Sequence, residues 1–151
     1  MILFCFIIVH YATLSQVLMS NTMNSLEAAI KKALDLSGST NEANKVYLEF
    51  IKANFMIPIN KFSDPEKPEV LFLVENEHTF LPVFTDKKYL DQWAFDIKED
   101  IELLKLSGVD LLKGVGDKVI ICLNIGSTIY KEFNIAEIER MRSLVLKVFS
   151  S

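Results

Sequence analysis

Asn124, Gly126, Ser127 and Thr128 close the most apolar stretch of the chain, Val119-Ile120-Ile121-Cys122-Leu123, and are the residues best suited to hold a small ligand. A loop that follows a buried strand is a common ligand position in open sheets. Backbone N–H groups, an amide and two hydroxyls would suit an amino acid or a small anion. The residues after this loop read as a strand, so no helix dipole points at it, and Gly and Ser also serve plain turns. Gly114-Val115-Gly116-Asp117-Lys118 has the glycines of a phosphate loop, but such loops open a helix and these precede a strand. Their expected role is a turn from helix into strand.

His78 is the one histidine outside the first twenty-two residues, and it has neither a cysteine nor a second histidine nearby with which to share a metal. With Glu77 it belongs to a polar loop, Glu75 to Thr79, and is expected at the surface. Glu99, Asp100 and Glu102 are close acids; paired carboxylates do acid–base work when burial separates their pKa values. Lys98 and Lys105 flank them and favour a charged surface instead. Nothing marks an activated serine. No catalytic residue, no metal set and no cofactor is expected. Trp93 and the phenylalanines can form a sticky groove, but at helical and strand spacing they read as core.

The elements that must position these residues follow from periodicity. Asn24 or Ser25 opens a helix, with Glu27 placed to close a capping box and Leu26, Ile30, Ala33 and Leu34 on one face. Gly38 ends it. Asn41 caps a second helix whose apolar face is Val46, Tyr47, Phe50, Ile51 and Phe55. Met56 to Ile59 is a short strand, placed by Pro58 at an edge or a bulge. Ser63 to Pro68 is a loop. Val70–Val74 and Phe80–Phe84 form a hairpin, with Pro82 marking an edge or bulge in the second strand. Thr85 or Asp86 caps a helix to Ala94 that turns Tyr89, Leu90 and Trp93 inward. Residues 97–105 fit either a strand or an extension into a helix near Val109. Val119 to Leu123 is a central strand. Tyr130 to Phe133 is a last strand, and Asn134 with Glu137 caps a final helix facing the core with Ile138, Met141, Val145 and Phe149. The fold class is α+β: one domain, a mixed or antiparallel sheet with an N-terminal helix pair and further helices packed on it.

The chain has 151 residues, room for one domain that buries its own core without a metal or disulfide staple. Half its residues are hydrophobic, 24% are charged and the net charge is −4, so the basic field of a nucleic-acid binder is missing. Cys5 and Cys122 make no disulfide framework, and a reducing, cytoplasmic setting is the default. Residues 1–22 are an apolar leader. Their apolar run is shorter than the roughly 20 residues of a membrane span, and no Lys or Arg precedes Lys31 to form a signal's basic region. A start placed too early, with Met19 or Met23 as the true one, or a disordered leader is the expectation; membrane contact is expected only if the leader is real. Residues 23–151 are the domain.

Several packing and turn motifs occur in a telling order. Leu26 and Ala29 lie in the first helix, and Phe55-Met56-Ile57-Pro58 follows the second. Then come Leu81-Pro82-Val83-Phe84-Thr85, Leu90 with Trp93-Ala94, Leu111-Leu112, and Leu123-Asn124-Ile125-Gly126-Ser127. From Leu26 to about Met141 the chain resembles the N-terminal domain of the bacterial SseB family, named for enhanced serine sensitivity. Ile125 stands where that family commonly has proline. The resemblance implies an α+β domain and supplies no catalytic residues. It fits a non-enzymatic module that binds another protein, through Glu77 and His78 of the hairpin together with the Gly126 turn. The other reading is a small-molecule domain or minor enzyme with Asn124, Gly126, Ser127 and Thr128 lining the site.

Overall fold

The computed structural model describes the backbone of residues 2–6, 19–36 and 39–149, and within that set the side chains from Ser25 to Val148. Gly38, most of the leader and the side chain of Phe149 lie outside the described residues. In chain order the elements are β1 (Ile2–Phe6), α1 (Met19–Asp35), α2 (Thr40–Lys52), β2 (Asn54–Asn60), β3 (Glu69–Glu75), β4 (His78–Val83), α3 (Lys87–Trp93), β5 (Ile101–Ser107), α4 (Gly108–Gly114), β6 (Val119–Leu123), β7 (Lys131–Phe133) and α5 (Ile135–Phe149). The α+β expectation holds.

The sheet runs β5-β2-β3-β4-β6-β7, with β1 beside β3. It is mixed: β4 and β6 are parallel, and the other paired strands are antiparallel. One face carries Val70, Phe72, Leu81, Val83, Ile121 and Leu123 into the main core, against Leu26 and Ile30 of α1, Val46 and Phe50 of α2, and Ile138 and Met141 of α5. Phe50 packs on Phe55 and Phe133 at ring separations of 4.5 and 4.9 Å. A second, smaller cluster places Leu90 and Ala94 against Phe84, with Met56, Tyr89 and Trp93 beside them. This second cluster is why α3 turns Tyr89, Leu90 and Trp93 inward. Gly108 joins the layers: its N–H donates to Ala53 O at 2.7 Å, and a Cβ there would lie 2.0 Å from Phe50 O.

Several expectations shift. α1 begins at Met19, so Asn24 lies inside the helix and does not cap it. Ser39, not Asn41, caps α2 by accepting from Glu42 N. Phe55 belongs to β2. Residues 101–107 settle as a strand paired along the whole of β2. The capping box of α5 is half made: Asn134 Oδ1 accepts from Glu137 N at 2.9 Å, while the Glu137 carboxylate pairs with Lys131 Nζ at 3.1 Å.

The prolines explain how the sheet departs from a regular ladder. β2 is not an edge, since β5 lies on one side and β3 on the other. Met56 exchanges both backbone hydrogen bonds with Phe84, and Ile59 bridges Val70. Pro58 falls between those two isolated bridges, where no ladder asks for an N–H. In β4 the pairing with β3 ends at Phe80–Leu73, while the pairing with β6 continues to Val83. Pro82 lies just past the point where the hairpin opens, so its missing donor costs nothing there.

Candidate functional site

The two motifs singled out in the sequence meet in space. β4 and β6 run parallel and in register from Thr79–Val119 to Val83–Leu123. Their C-terminal ends therefore lie side by side, and Thr85, two residues past β4, and Asn124, the residue after β6, fasten them. Asn124 N donates to Val83 O at 2.9 Å. Asn124 Oδ1 accepts from Thr85 N at 3.0 Å, and its Nδ2 donates to Thr85 Oγ1 at 2.9 Å. The Thr85 hydroxyl in turn donates to Glu27 Oε1 of α1 at 2.9 Å. Thr85 and Asn124 are both 0% exposed, and they are among the few buried polar residues of the described core. The network is fully donor–acceptor matched, as a buried polar group requires.

Asn124 has φ +52°, and Gly126 has φ +82°. Asn is the residue that tolerates the left-handed region with least strain after Gly. It also brings an amide that reaches back to the neighbouring strand, which Gly lacks. Ser127 N donates to Asn124 O, and Ser127 Oγ accepts from Ile129 N at 3.2 Å. Thus Ser127 bonds within the turn, while Asn124 gives its carbonyl to the turn and its amide to Thr85. Gly126 and Thr128 are exposed.

Glu77 and His78 lie at the other end of the same strand pair. The hairpin loop is tighter than expected: Glu75 and His78 pair across it, leaving Asn76 and Glu77 as the turn, at φ +49° and +66°. Two successive left-handed residues are the signature of a type I′ turn, whose twist matches the flanking strands. His78 Nδ1 lies 2.8 Å from Asn76 O, and its ring is 6.2 Å from that of Phe80. The five-residue register of β4 on β6 separates this tip from the Gly126 turn by roughly 17 Å. The hairpin tip and the Gly126 turn thus lie at opposite ends of the strand pair and are not in contact.

The remaining chemistry-bearing groups are accounted for within the fold. Cys122 is a buried free thiol, as expected of a lone cysteine in an apolar strand. Burial pushes it up to about 11, an effect eased by the hydroxyl of Tyr130 at 3.9 Å. Burial and the Glu132 carboxylate raise the Tyr130 hydroxyl well above its ordinary value, and burial together with Glu137 raises Tyr47. A cavity of about 430 Å³ lies between α1, α2 and β7, with Ile30, Leu34 and Val46 as walls and Tyr47, Lys131 and Glu137 as its polar side. There Lys131 is already held by Glu137, the carbonyl of Glu132 and the ring of Phe133. Glu99, Asp100 and Glu102 are exposed. Among the described residues no group of acids, histidines or cysteines is arranged to hold a metal ion, and no helix is long and apolar enough to cross a membrane.

Two exposed aromatics that the sequence did not single out lie in the connections that leave β2 at Asn60 and enter β5 at Ile101. Phe62 is 76% exposed and Phe95 70% exposed. Phe62 is held in an ordered loop: its N–H donates to Asn60 Oδ1 at 3.0 Å, and its neighbour Lys61 donates to Asp100 O at 3.0 Å. Lys98 Nζ stands 5.6 Å over the Phe95 ring. Both aromatics thus project from connections tied to the same end of the sheet. Read as a count of phenylalanines, they looked like core. Their place beside Asn60, Ser63 and Asp64, or after the end of a helix, is the signal that separates them.

The family model described as SseB protein N-terminal domain matches residues 26–140, a stretch that begins in α1 and ends in α5. No curated protein and no solved structure matches the chain.

Proposed function

The chain belongs to the SseB N-terminal domain family, and from that premise we propose that it works as a bacterial, cytoplasmic adaptor that binds another protein and performs no reaction of its own. The observation that carries this reading is the exposure of two large aromatic side chains, Phe62 in the loop after β2 and Phe95 in the connection from α3 to β5. Aromatic side chains dominate the energetics of protein interfaces. A backbone held in place before binding loses less conformational entropy on association, and the Asn60 side chain holds the backbone at Phe62 in that way. The hairpin tip, Glu77 and His78, offers a separate polar patch.

The small-molecule reading, at the turn after β6, would have to draw on Gly126, Thr128 and backbone groups. Asn124 and Ser127 are engaged inside the fold. Its test is ligand-dependent thermal stabilisation by amino acids, serine included, or by small anions, because a ligand that binds only the native state raises stability.

The adaptor reading is tested by capturing partners from bacterial lysate with the unmodified chain and with Phe62→Ser/Phe95→Ser and Glu77→Ala/His78→Ala variants. A stoichiometric protein partner, lost with the phenylalanine pair and kept with the hairpin pair, is the expected result. Loss only with the hairpin pair moves the surface to the other end of the molecule. The absence of any stoichiometric partner, with a thermal shift by a metabolite, replaces the adaptor reading with the small-molecule one.

A further inference from the structure

We propose that the outer edge of β3, Glu69–Leu73, is a strand-accepting interface, and that an extended apolar segment of a partner protein adds there antiparallel, in the place β1 holds in this chain. The proposal rests on the protein-binding reading and gives it a second surface with a defined mode of recognition.

The register shows which edge is concerned. Val70 faces Ile59 on one side and Cys5 on the other, and Leu73 faces Phe80 and Ile2. β2, at Val70, and β4, from Leu73 to Glu75, therefore share one edge of β3, and β1 takes the opposite edge from Glu69 to Leu73. Residues 26–140, the part that matches the family model, contain β2 to β7 and do not contain β1. Without β1, the outer edge of β3 in this chain would be a row of N–H and C=O groups with no strand to meet them. Such an edge is a template for another strand. In this chain a five-residue appendage, Ile2-Leu3-Phe4-Cys5-Phe6, lies on it.

The chemistry of the occupant follows. β3 reads Glu69-Val70-Leu71-Phe72-Leu73-Val74-Glu75, five apolar residues bracketed by acids. β1 is wholly apolar and uncharged. A strand ladder bonds backbone to backbone, so affinity comes from main-chain hydrogen bonds and selectivity from alternate side chains. Any extended apolar segment of that length meets the same donors and acceptors. In the register of β1, Phe6 faces Glu69 and Ile2 faces Leu73, two residues short of Glu75, so the two carboxylates lie near the ends of the occupant and favour basic flanking residues over acidic ones.

The test uses the full chain and a labelled peptide, Lys-Ile-Leu-Phe-Ser-Phe-Lys, which is β1 with serine for cysteine and a lysine at each end. In a Leu3→Pro/Phe4→Pro variant, two adjacent prolines remove whichever alternate N–H enters the ladder. Near-ultraviolet dichroism of Trp93 reports that the rest of the fold is kept. The amides of Val70 to Leu73 are expected to exchange at least tenfold faster, and the peptide to bind at least tenfold tighter than to the unmodified chain. A glutamate-flanked peptide should bind at least threefold more weakly, and a peptide N-methylated at alternate residues not at all. Unchanged protection of Val70 to Leu73, or no binding to the exposed edge, overturns the proposal. If the variant does not fold, the peptide is titrated into the unmodified chain: faster exchange of the Ile2–Phe6 amides supports the proposal, and no change at millimolar peptide overturns it. The Phe62→Ser/Phe95→Ser protein must bind the peptide like its parent. Peptide binding without any cellular partner would sink the adaptor reading and leave the edge standing; a partner captured by a chain whose β3 edge takes no peptide would do the reverse.

Discussion

The two ends of the β4–β6 pair solve the same backbone problem in opposite ways. Each turns the chain through left-handed residues that are not glycine: Asn124 at one end, Asn76 and Glu77 at the other. Asn124 is fully buried, and its side-chain amide is bonded at both of its atoms to Thr85. Asn76 and Glu77 are exposed and form a free tip. The first end is a lock that joins two strands to α1 through Glu27. The second is a display. A positive φ at a polar residue is therefore no guide to function by itself, and what its side chain touches decides the matter.

Breaking the lock is expected to have the largest effect. Asn124→Ala leaves the buried N–H of Thr85 without an acceptor and puts an alanine in the left-handed region. The two costs together should lower stability by about 3 kcal/mol, read by urea denaturation. Asn124→Gly keeps the backbone free and loses only the hydrogen bonds, so it should fall short of the alanine variant. Thr85→Val keeps the shape and removes the hydroxyl shared by Asn124 and Glu27; about 2 kcal/mol is expected.

A pH effect belongs to the same end. Cys122 lies two residues before Asn124, and its thiol is raised from 9.0 to about 11, first by burial. Below pH 9.0 both the folded and unfolded chains hold this proton. Between those two values the unfolded chain releases it and the folded chain keeps it, so the unfolded state gains and stability falls as pH rises. Cys122→Val removes this contribution and should flatten the decline over that interval, as read by melts across pH. Tyr47 and Tyr130, also raised, act in the same direction at more alkaline pH.

The display end should barely respond. Glu77→Gly relieves a left-handed residue in an exposed turn and is expected to leave stability unchanged or raise it by about 0.5 kcal/mol. A loss of more than about 1 kcal/mol there would show that the tip carries structure, and the contrast between the two ends would collapse.

Much of this was legible in the sequence. The apolar strand to Phe84, the helix capped by Asp86 and the central strand to Leu123 have unambiguous periods. Leu81 to Thr85 and Leu123 to Ser127 gave the family. The prolines were legible as interruptions but not as positions. Pro58 lies inside the sheet because β2 meets two partners through isolated bridges, and no local pattern reveals that. Asn24 looked like a cap because it precedes an apolar stripe, yet α1 continues back to Met19. Asn124 and Ser127 looked like ligand groups because their types suit one. Only the parallel register of β4 and β6, a contact between residues 39 apart in sequence, shows where their bonds go. The same register parts Glu77 and His78 from the Gly126 turn. Phe62 and Phe95 were hidden among eleven phenylalanines, most of which read as core.

The central claim is that Thr85 and Asn124 form one lock and not two independent polar residues. A double-mutant cycle of Thr85→Val and Asn124→Ala, measured by urea denaturation, tests it directly. The lock predicts that the double variant is hardly less stable than Asn124→Ala alone, a coupling of about 1.5 kcal/mol or more. Additive losses would contradict it and return Asn124 to the residues available for a ligand.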